Sequence, residues 1–300
     1  MKTIALSETI FHKNTEKYFD SFILLMTGDS GLFLLVPLTF KVKVFLKRIK
    51  ENFSVEYVKK INLLFRKLNL DNRIIRIANN YSTFCEIINS TLADYEFYND
   101  EVNLQEIGSR LCINQCLAQK SGNGKSLAQL APTKWTLSGL DITSQNSTQQ
   151  DLKTFLESSL IRFTQTVTII DPFLGEKIEE NNYTFPPTLS TIYETFICNL
   201  KKYRDIWMDY NPSFIIHTPG NIQHRRHLSN IKHMKIITYR CSPRQFLHDR
   251  FLKTEYIFSQ WGSGFDIFDF GSPKRATAIS ILENKRYRIY KHELEKIRRN

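Results

Sequence analysis

Cysteine is scarce in this chain of 300 residues. Five cysteines lie at scattered positions, so they do not build a disulfide framework. Cys112 and Cys116 share one helical face, but a single CxxxC without a second pair or a close histidine is weak as a zinc motif. We therefore expect buried thiols in a reducing cytoplasm, and we expect neither a metal nor another cofactor.

The chain also lacks a long uninterrupted apolar run. Its N-terminus has no basic start followed by an apolar core and a small-residue cleavage site, so no secretory signal is predicted. Residues 22–40 are long enough to raise the question of a membrane span. Asp29, within a TGDSG cluster, divides them into two short apolar segments. The pattern predicts a buried β-hairpin here and no transmembrane segment.

Acidic residues are outnumbered by basic ones. There are 41 Lys and Arg against 30 Asp and Glu, a formal net charge of +11, which favours an anionic partner such as nucleic acid or an acidic membrane. Residues 274–300 contain nine Lys or Arg and three Glu, a surplus of six. This basic tail is either a surface for a polyanion or a solvated terminal helix. Its Tyr287 and Tyr290 suit stacking on bases as well as a lipid headgroup layer.

The C-terminal half shows alternating strand and helix patterns. Residues 167–174 form an apolar, β-branched run that ends on Asp-Pro, and residues 213–220 and 234–240 are further strand-like segments. Between the first two, residues 188–207 have the apolar spacing of an amphipathic helix. The order predicts an α/β layered sheet with flanking helices in residues 156–300.

The N-terminal half is less distinctive and predicts an α+β domain over residues 1–140. Residues 41–70 have helical spacing, and residues 71–98 predict further helix with Asn-rich breaks. The stretch rich in Ser, Thr, Gln and Asn that follows predicts a linker at residues 141–155.

Residues 103–142 allow two interpretations, a loose winged helix or part of an ordinary α+β capping domain. In the winged-helix interpretation the polar turn QKSGNGKS is the wing, and phosphates would meet Lys120, Lys125 and Lys134. A Walker nucleotide-binding loop is rejected, because Gln119 stands where the loop needs its first glycine.

The most informative segment runs from His248 to Phe265. His248 and Arg250 are followed after four residues by Glu255, and after six more by Gly262-Ser263-Gly264-Phe265. On a strand, His248 and Arg250 would point to the same side, so both could reach one phosphate. The alternative is a structural ion pair of Arg250 with Asp249 or Glu255.

This spacing resembles the phospholipase D superfamily pattern HxK(x4)D(x6)GSxN, with Arg for Lys, Glu for Asp and Phe for Asn. The resemblance implies that His248 attacks phosphorus, Arg250 holds the non-bridging oxygens and Glu255 orients the imidazole, without a metal. With the element order, residues 160–270 look like the phospholipase D-like C-terminal domain of microtubule-interacting-and-trafficking domain proteins. That subfamily is associated with acidic phospholipid.

Four further residues are candidates or polar neighbours of the site, and Ser263 is also part of the motif segment itself. Asp171 ends a predicted strand and either faces the site or only forms the Asp-Pro turn. His217 on a strand is interpreted as a structural histidine. His224 and Arg226, in a basic HRRH cluster, are either phosphate contacts or part of a solvated helix face. Ser263, in the Gly-Ser-Gly turn, is a further phosphate-binding candidate.

Three functions remain open. The first is a metal-independent nuclease, used in defence or in nucleic-acid processing. Because the superfamily mechanism uses two facing histidines and this chain has one motif, that hypothesis predicts a homodimer. The second is a non-catalytic nucleic-acid-binding subunit of a larger complex, and the third a peripheral protein that binds acidic phospholipids.

Overall fold

The computed structural model divides the chain into two compact units, Met1–Leu137 with Asp205–Met208, and Ser138–Arg204 with Asp209–Asn300. The residues described are 2–6, 10, 16–27, 32–51, 53–78, 87, 92–98, 124–126, 139–142, 147–180, 184–207, 209–220, 231–265, 267–269, 272–273, 276–282 and 286–299. In these ranges no helix is both long enough and apolar enough to cross a membrane.

The first unit is built on a parallel sheet of five strands. Its elements are β1 (Lys2–Leu6), α1 (Glu16–Thr27), β2 (Leu32–Pro37), α2 (Val42–Ile49), α3 (Val55–Leu70), β3 (Ile74–Ile77), β4 (Tyr95–Tyr98) and β5 (Gly124–Ser126). The strand order is β3-β2-β1-β4-β5, and every described pair is parallel. All six residues of β2 are buried, as expected for a strand covered on both faces.

The β-hairpin predicted for residues 22–40 is wrong. The first apolar segment lies in α1, and the second is β2, which pairs in parallel with β1. Parallel neighbours need a crossover, and α1 provides it, burying Phe22 and Met26 in the core of the unit. Apolar length alone did not distinguish a short buried helix from a strand.

The two helix predictions for the N-terminal half, at residues 41–70 and 71–98, have different outcomes. The helix expected at residues 41–70 is confirmed as α2 and α3, and the Ser54 hydroxyl accepts a hydrogen bond from the Tyr57 amide to cap α3. The helix expected at residues 71–98 is wrong at both ends, where β3 and β4 lie, whereas Ile87 between them is helical.

The winged-helix prediction lies largely outside the described residues, and so do Lys120, Lys134, Cys112 and Cys116. Lys125, expected in a polar wing, instead lies in β5, which pairs in parallel with β4.

The second unit is built on a mixed sheet of seven strands. Its elements are β6 (Leu140–Ile142), α4 (Gln149–Phe155), β7 (Thr166–Ile170), α5 (Leu174–Glu180), α6 (Pro187–Lys202), β8 (Ser213–Pro219), β9 (Met234–Tyr239), β10 (Phe251–Thr254), β11 (Phe258–Trp261), β12 (Phe268–Asp269), β13 (Ser272–Pro273), β14 (Thr277–Leu282) and α7 (Tyr287–Arg299). The order is β6-β14-β11-β10-β7-β8-β9, with β7, β8 and β9 parallel.

Helices cover both faces of this sheet. On one face Phe196 of α6 packs on Phe214 of β8, with ring centroids 5.5 Å apart. On the other face Leu294 of α7 is buried in a cluster with Phe251 and Phe258. The α/β class and the three strands expected at residues 167–174, 213–220 and 234–240 are confirmed, together with the helix between the first two.

The segment predicted as a linker at residues 141–155 contains regular structure. It includes part of β6, which pairs with β14, and all of α4. Thr148 and Asp151 form a reciprocal capping box at the start of α4, which explains why a polar stretch begins a helix here.

Candidate functional site

The start of β10, the carboxyl end of β7 and the end of β11 meet at one edge of the second sheet. The antiparallel register pairs Phe251 with Ile170, so the start of β10 lies beside the carboxyl end of β7. The Trp261 amide donates to the Arg250 carbonyl at 2.8 Å, which brings the end of β11 to the same place. Asp171 and Arg250 are thereby neighbours although they are distant in sequence.

Asp171 is a buried carboxylate with backbone partners. It is 3% exposed, and it accepts hydrogen bonds from the Phe173 amide at 2.7 Å and from the Phe265 amide at 3.3 Å. Burial raises the pKa of Asp171, while the Phe173 hydrogen bond and the positive charge of Arg250 act in the opposite direction. Asp171 therefore forms the Asp-Pro turn and also faces the candidate site.

The Arg250 guanidinium is held by its surroundings. Its Nε lies 3.9 Å from Asp171 Oδ2, its Nη1 donates to the Gly262 carbonyl at 3.1 Å, and its Cζ lies 5.2 Å from the centroid of the Phe173 ring. The side chain is 22% exposed. Arg250 thus forms a structural ion pair, but its partner is Asp171 rather than Asp249 or Glu255.

The Gly-Ser-Gly turn fits closely around this pair. Gly264 has φ +79°, and a Cβ there would come within 2.5 Å of Arg250 Cδ and 2.8 Å of Asp171 Oδ2. Phe265 is 1% exposed and packs on Trp261 with ring centroids 4.7 Å apart. The turn therefore needs glycine at position 264, and Phe265 belongs to the core.

Ser263 forms hydrogen bonds with the first residue of β14 and with the residue before it. Its amide donates to the Thr277 hydroxyl at 2.7 Å, and its hydroxyl donates to the Ala276 carbonyl at 3.2 Å. The serine lies at the same edge as Arg250, but its hydroxyl proton is already used.

His248 stands in an exposed turn before β10, which corrects the prediction that it lies on the strand. Among the described residues it makes no hydrogen bond or ion pair. The neighbouring Asp249 accepts a hydrogen bond from the Gln260 side chain at 3.1 Å. The pairing of Phe251 with Gln260 starts the regular strand only after the histidine.

Glu255 follows the opposite end of β10 from His248. The contact between Glu255 and His248 that the motif implied is therefore absent. Five residue steps of extended chain place it roughly 16 Å from Arg250. Its Oε1 accepts a hydrogen bond from the Gln165 amide at 2.9 Å, before the start of β7. Burial raises the pKa of Glu255. This carboxylate stabilises the loop that enters β7 and does not orient the imidazole.

The remaining candidates divide into two groups. His224 and Arg226 lie outside the described residues. His217 lies on β8, where its Nδ1 is 2.7 Å from the Tyr239 hydroxyl. Burial, with the charges of Arg298 and Lys235, lowers the pKa of His217 to about 4. That environment fits the structural role expected for it.

The basic tail contains β14 and the helix α7, which packs on the sheet. Tyr290 contacts Phe251, with ring centroids 4.2 Å apart, and Tyr287 contacts Phe258 at 5.6 Å. Among the described residues, the exposed basic side chains of this segment are Arg286, Arg288, Lys291, His292, Lys296 and Arg298.

The orientation of α7 differs from the expectation that Tyr287 and Tyr290 form a binding surface. Both rings pack against the sheet. The signal was available, because Tyr287, Tyr290, Leu294 and Ile297 recur at the three- and four-residue spacing of an apolar helix face.

No protein-family model, curated protein or solved structure matches the chain.

Proposed function

We propose that this protein binds the phosphodiester backbone of nucleic acid without cleaving it, through the exposed face of α7. The observation that carries the proposal is the set of exposed cations on a helix whose apolar face is buried. Of these cations, Lys296 has a carboxylate partner, Glu293, at 2.8 Å. For Arg288 and Lys291, no ion pair occurs within the described part of the chain.

The packing of α7 makes these cations an effective phosphate surface. Leu294 is 4% exposed, and the Tyr290 ring lies against Phe251, so the helix is fixed on the sheet. Cations on a fixed helix lose less conformational freedom on binding than the same cations on a flexible tail. Each phosphate that they neutralise releases condensed counterions, which favours binding at low salt.

The surroundings of Arg250 argue against hydrolysis at the His248 motif. A phosphate held by Arg250 would approach the carboxylate of Asp171, and Glu255 is too distant to orient His248. We therefore propose a phospholipase D-like second unit that has kept the motif mainly as structure. The motif offsets, and the position of the Gly-Ser-Gly turn beside the end of β7, support this fold proposal.

The test is binding of a fluorescently labelled oligonucleotide by anisotropy. The full chain should bind at low salt, and Arg288→Gln/Lys291→Gln should weaken binding by about tenfold or more. Lys43→Gln/Lys47→Gln removes the same charge from exposed positions on α2 and should change affinity by about threefold at most.

Two results would contradict the proposal. Equal losses in both double variants would mean that only total charge matters. Sedimentation of the protein with acidic phospholipid vesicles that excess oligonucleotide does not reduce would favour the lipid-binding alternative.

A second candidate is a metal-independent nuclease. The observation that favours it is the exposed His248 imidazole, two residues from Arg250 at the edge of the sheet. Because the chain has one motif, this candidate requires a homodimer with two facing histidines. Cleavage in excess chelator that disappears in His248→Ala, together with a dimeric mass by light scattering, would establish it over the first.

A further inference from the structure

We infer that the nucleic acid bound by α7 is double-stranded and is contacted through its phosphates. This inference rests on the proposed function and names the ligand class of the same surface. It follows from which side chains of α7 face outward, and which do not.

The aromatic rings of α7 are partly buried and pack against the core of the second unit. Tyr287 and Tyr290 contact Phe258 and Phe251, and the Lys253 ammonium lies 5.7 Å from the centroid of the Tyr287 ring. Proteins that bind single strands combine cations with aromatic side chains on which bases stack. Along the described residues of α7, the outward face presents no Phe, Tyr or Trp ring; its one ring is the His292 imidazole.

The outward basic side chains instead form a straight row. Arg288, His292 and Lys296 follow at four-residue intervals and cover about 12 Å of helix. Lys291 and Arg298 lie beside this row. A duplex carries about one phosphate per 1.7 Å of axis and has a major groove about 12 Å wide, so a rigid row of this length can meet phosphates of both strands.

One carboxylate interrupts this surface. Glu295 is exposed and lies between Lys291 and Arg298 on the same flank of the helix. A phosphate close to either cation would be repelled by it. If the duplex lies on this flank, removing the charge of Glu295 should tighten binding, a gain that a loss of structure cannot imitate.

The experiment compares one labelled 20-base-pair duplex with one of its strands, using the full chain at a single salt concentration. We expect the duplex to bind at least about tenfold more tightly, from its higher charge density. Glu295→Gln should tighten duplex binding about twofold to threefold.

A second variant supplies the missing stacking platform. Ile289 is 64% exposed on the outward face. Ile289→Trp should improve single-strand affinity by about fivefold and leave duplex affinity nearly unchanged. Circular dichroism melting of each variant reports whether the fold is kept.

The outcomes separate this inference from the proposed function. Single-strand binding as tight as duplex binding, with salt dependence kept, would overturn the inference but not nucleic-acid binding. An unchanged duplex affinity in Glu295→Gln would also count against it. Absence of binding to both ligands would overturn both proposals.

Discussion

At the scale of single residues, Gly264 explains why the motif segment is tightly constrained. The turn brings its Cα against both members of the Arg250–Asp171 ion pair, in a left-handed conformation that favours glycine. The Arg250 side chain is 22% exposed. Packing thus explains the positions of Arg250 and Gly264 in the motif.

Gly264→Ala should destabilise the protein by about 3 kcal/mol. The added Cβ combines a strained φ with overlap against Arg250 and Asp171. Gly262→Ala is the matched control, since a Cβ there would be 3.3 Å from the Thr277 hydroxyl and should cost far less. Urea unfolding measures both, and equal midpoints would contradict this description of the turn.

His217 should make stability depend on pH. Its folded pKa of about 4 lies below its ordinary value of 6.5, mainly because of burial. Above pH 6.5 the residue is neutral in both states. As pH falls from 6.5 to 4, the unfolded chain takes up a proton that the folded chain does not, so about 3 kcal/mol of stability is lost.

His217→Gln should remove this loss. Free energies of unfolding at pH 7 and pH 4 should differ by about 3 kcal/mol less in the variant than in the original protein. The same pH dependence in both would show that another group causes the acid destabilisation.

At the scale of elements, local pattern predicted the strands and helices of the C-terminal half well. β7, β8, β9 and α6 lie where the apolar runs and helical spacing indicated. The elements of the N-terminal half were harder to predict, because α1 and β2 are both short apolar segments. The parallel pairing of β2 with β1, which identifies β2 as a strand, is a non-local contact that the local sequence pattern does not contain.

The helix α7 should contribute to stability through its buried leucine. Leu294→Ala should cost about 2–4 kcal/mol, because the side chain is 4% exposed within the cluster formed with Phe251 and Phe258. Ile289→Ala, at a position 64% exposed on the same helix, should change stability by about 0.5 kcal/mol or less. Similar thermal midpoints for the two variants would mean that α7 is not fixed on the sheet.

At the scale of the whole molecule, the candidate site could be predicted only in part. The motif predicted a Gly-Ser-Gly turn, and the structure shows that this turn lies beside Arg250. It could not reveal that Asp171 would pair with Arg250, nor that Glu255 would bind the Gln165 amide at the other end of the strand. Both contacts are set by the register of β10 against β7, which only the folded sheet defines.

The net charge of +11 likewise becomes informative only with the fold. Composition indicated an anionic partner, and α7 holds exposed basic side chains on a helix that packs against the sheet. We propose that this surface, rather than net charge in general, binds the phosphate backbone.

The most direct test is the salt dependence of duplex binding. The logarithm of the dissociation constant is measured against the logarithm of salt concentration for the original chain and for Arg288→Gln/Lys291→Gln. We expect the slope of this line to be smaller by about 2 in the variant, because two phosphate contacts are lost. Parallel lines with equal slopes would contradict it.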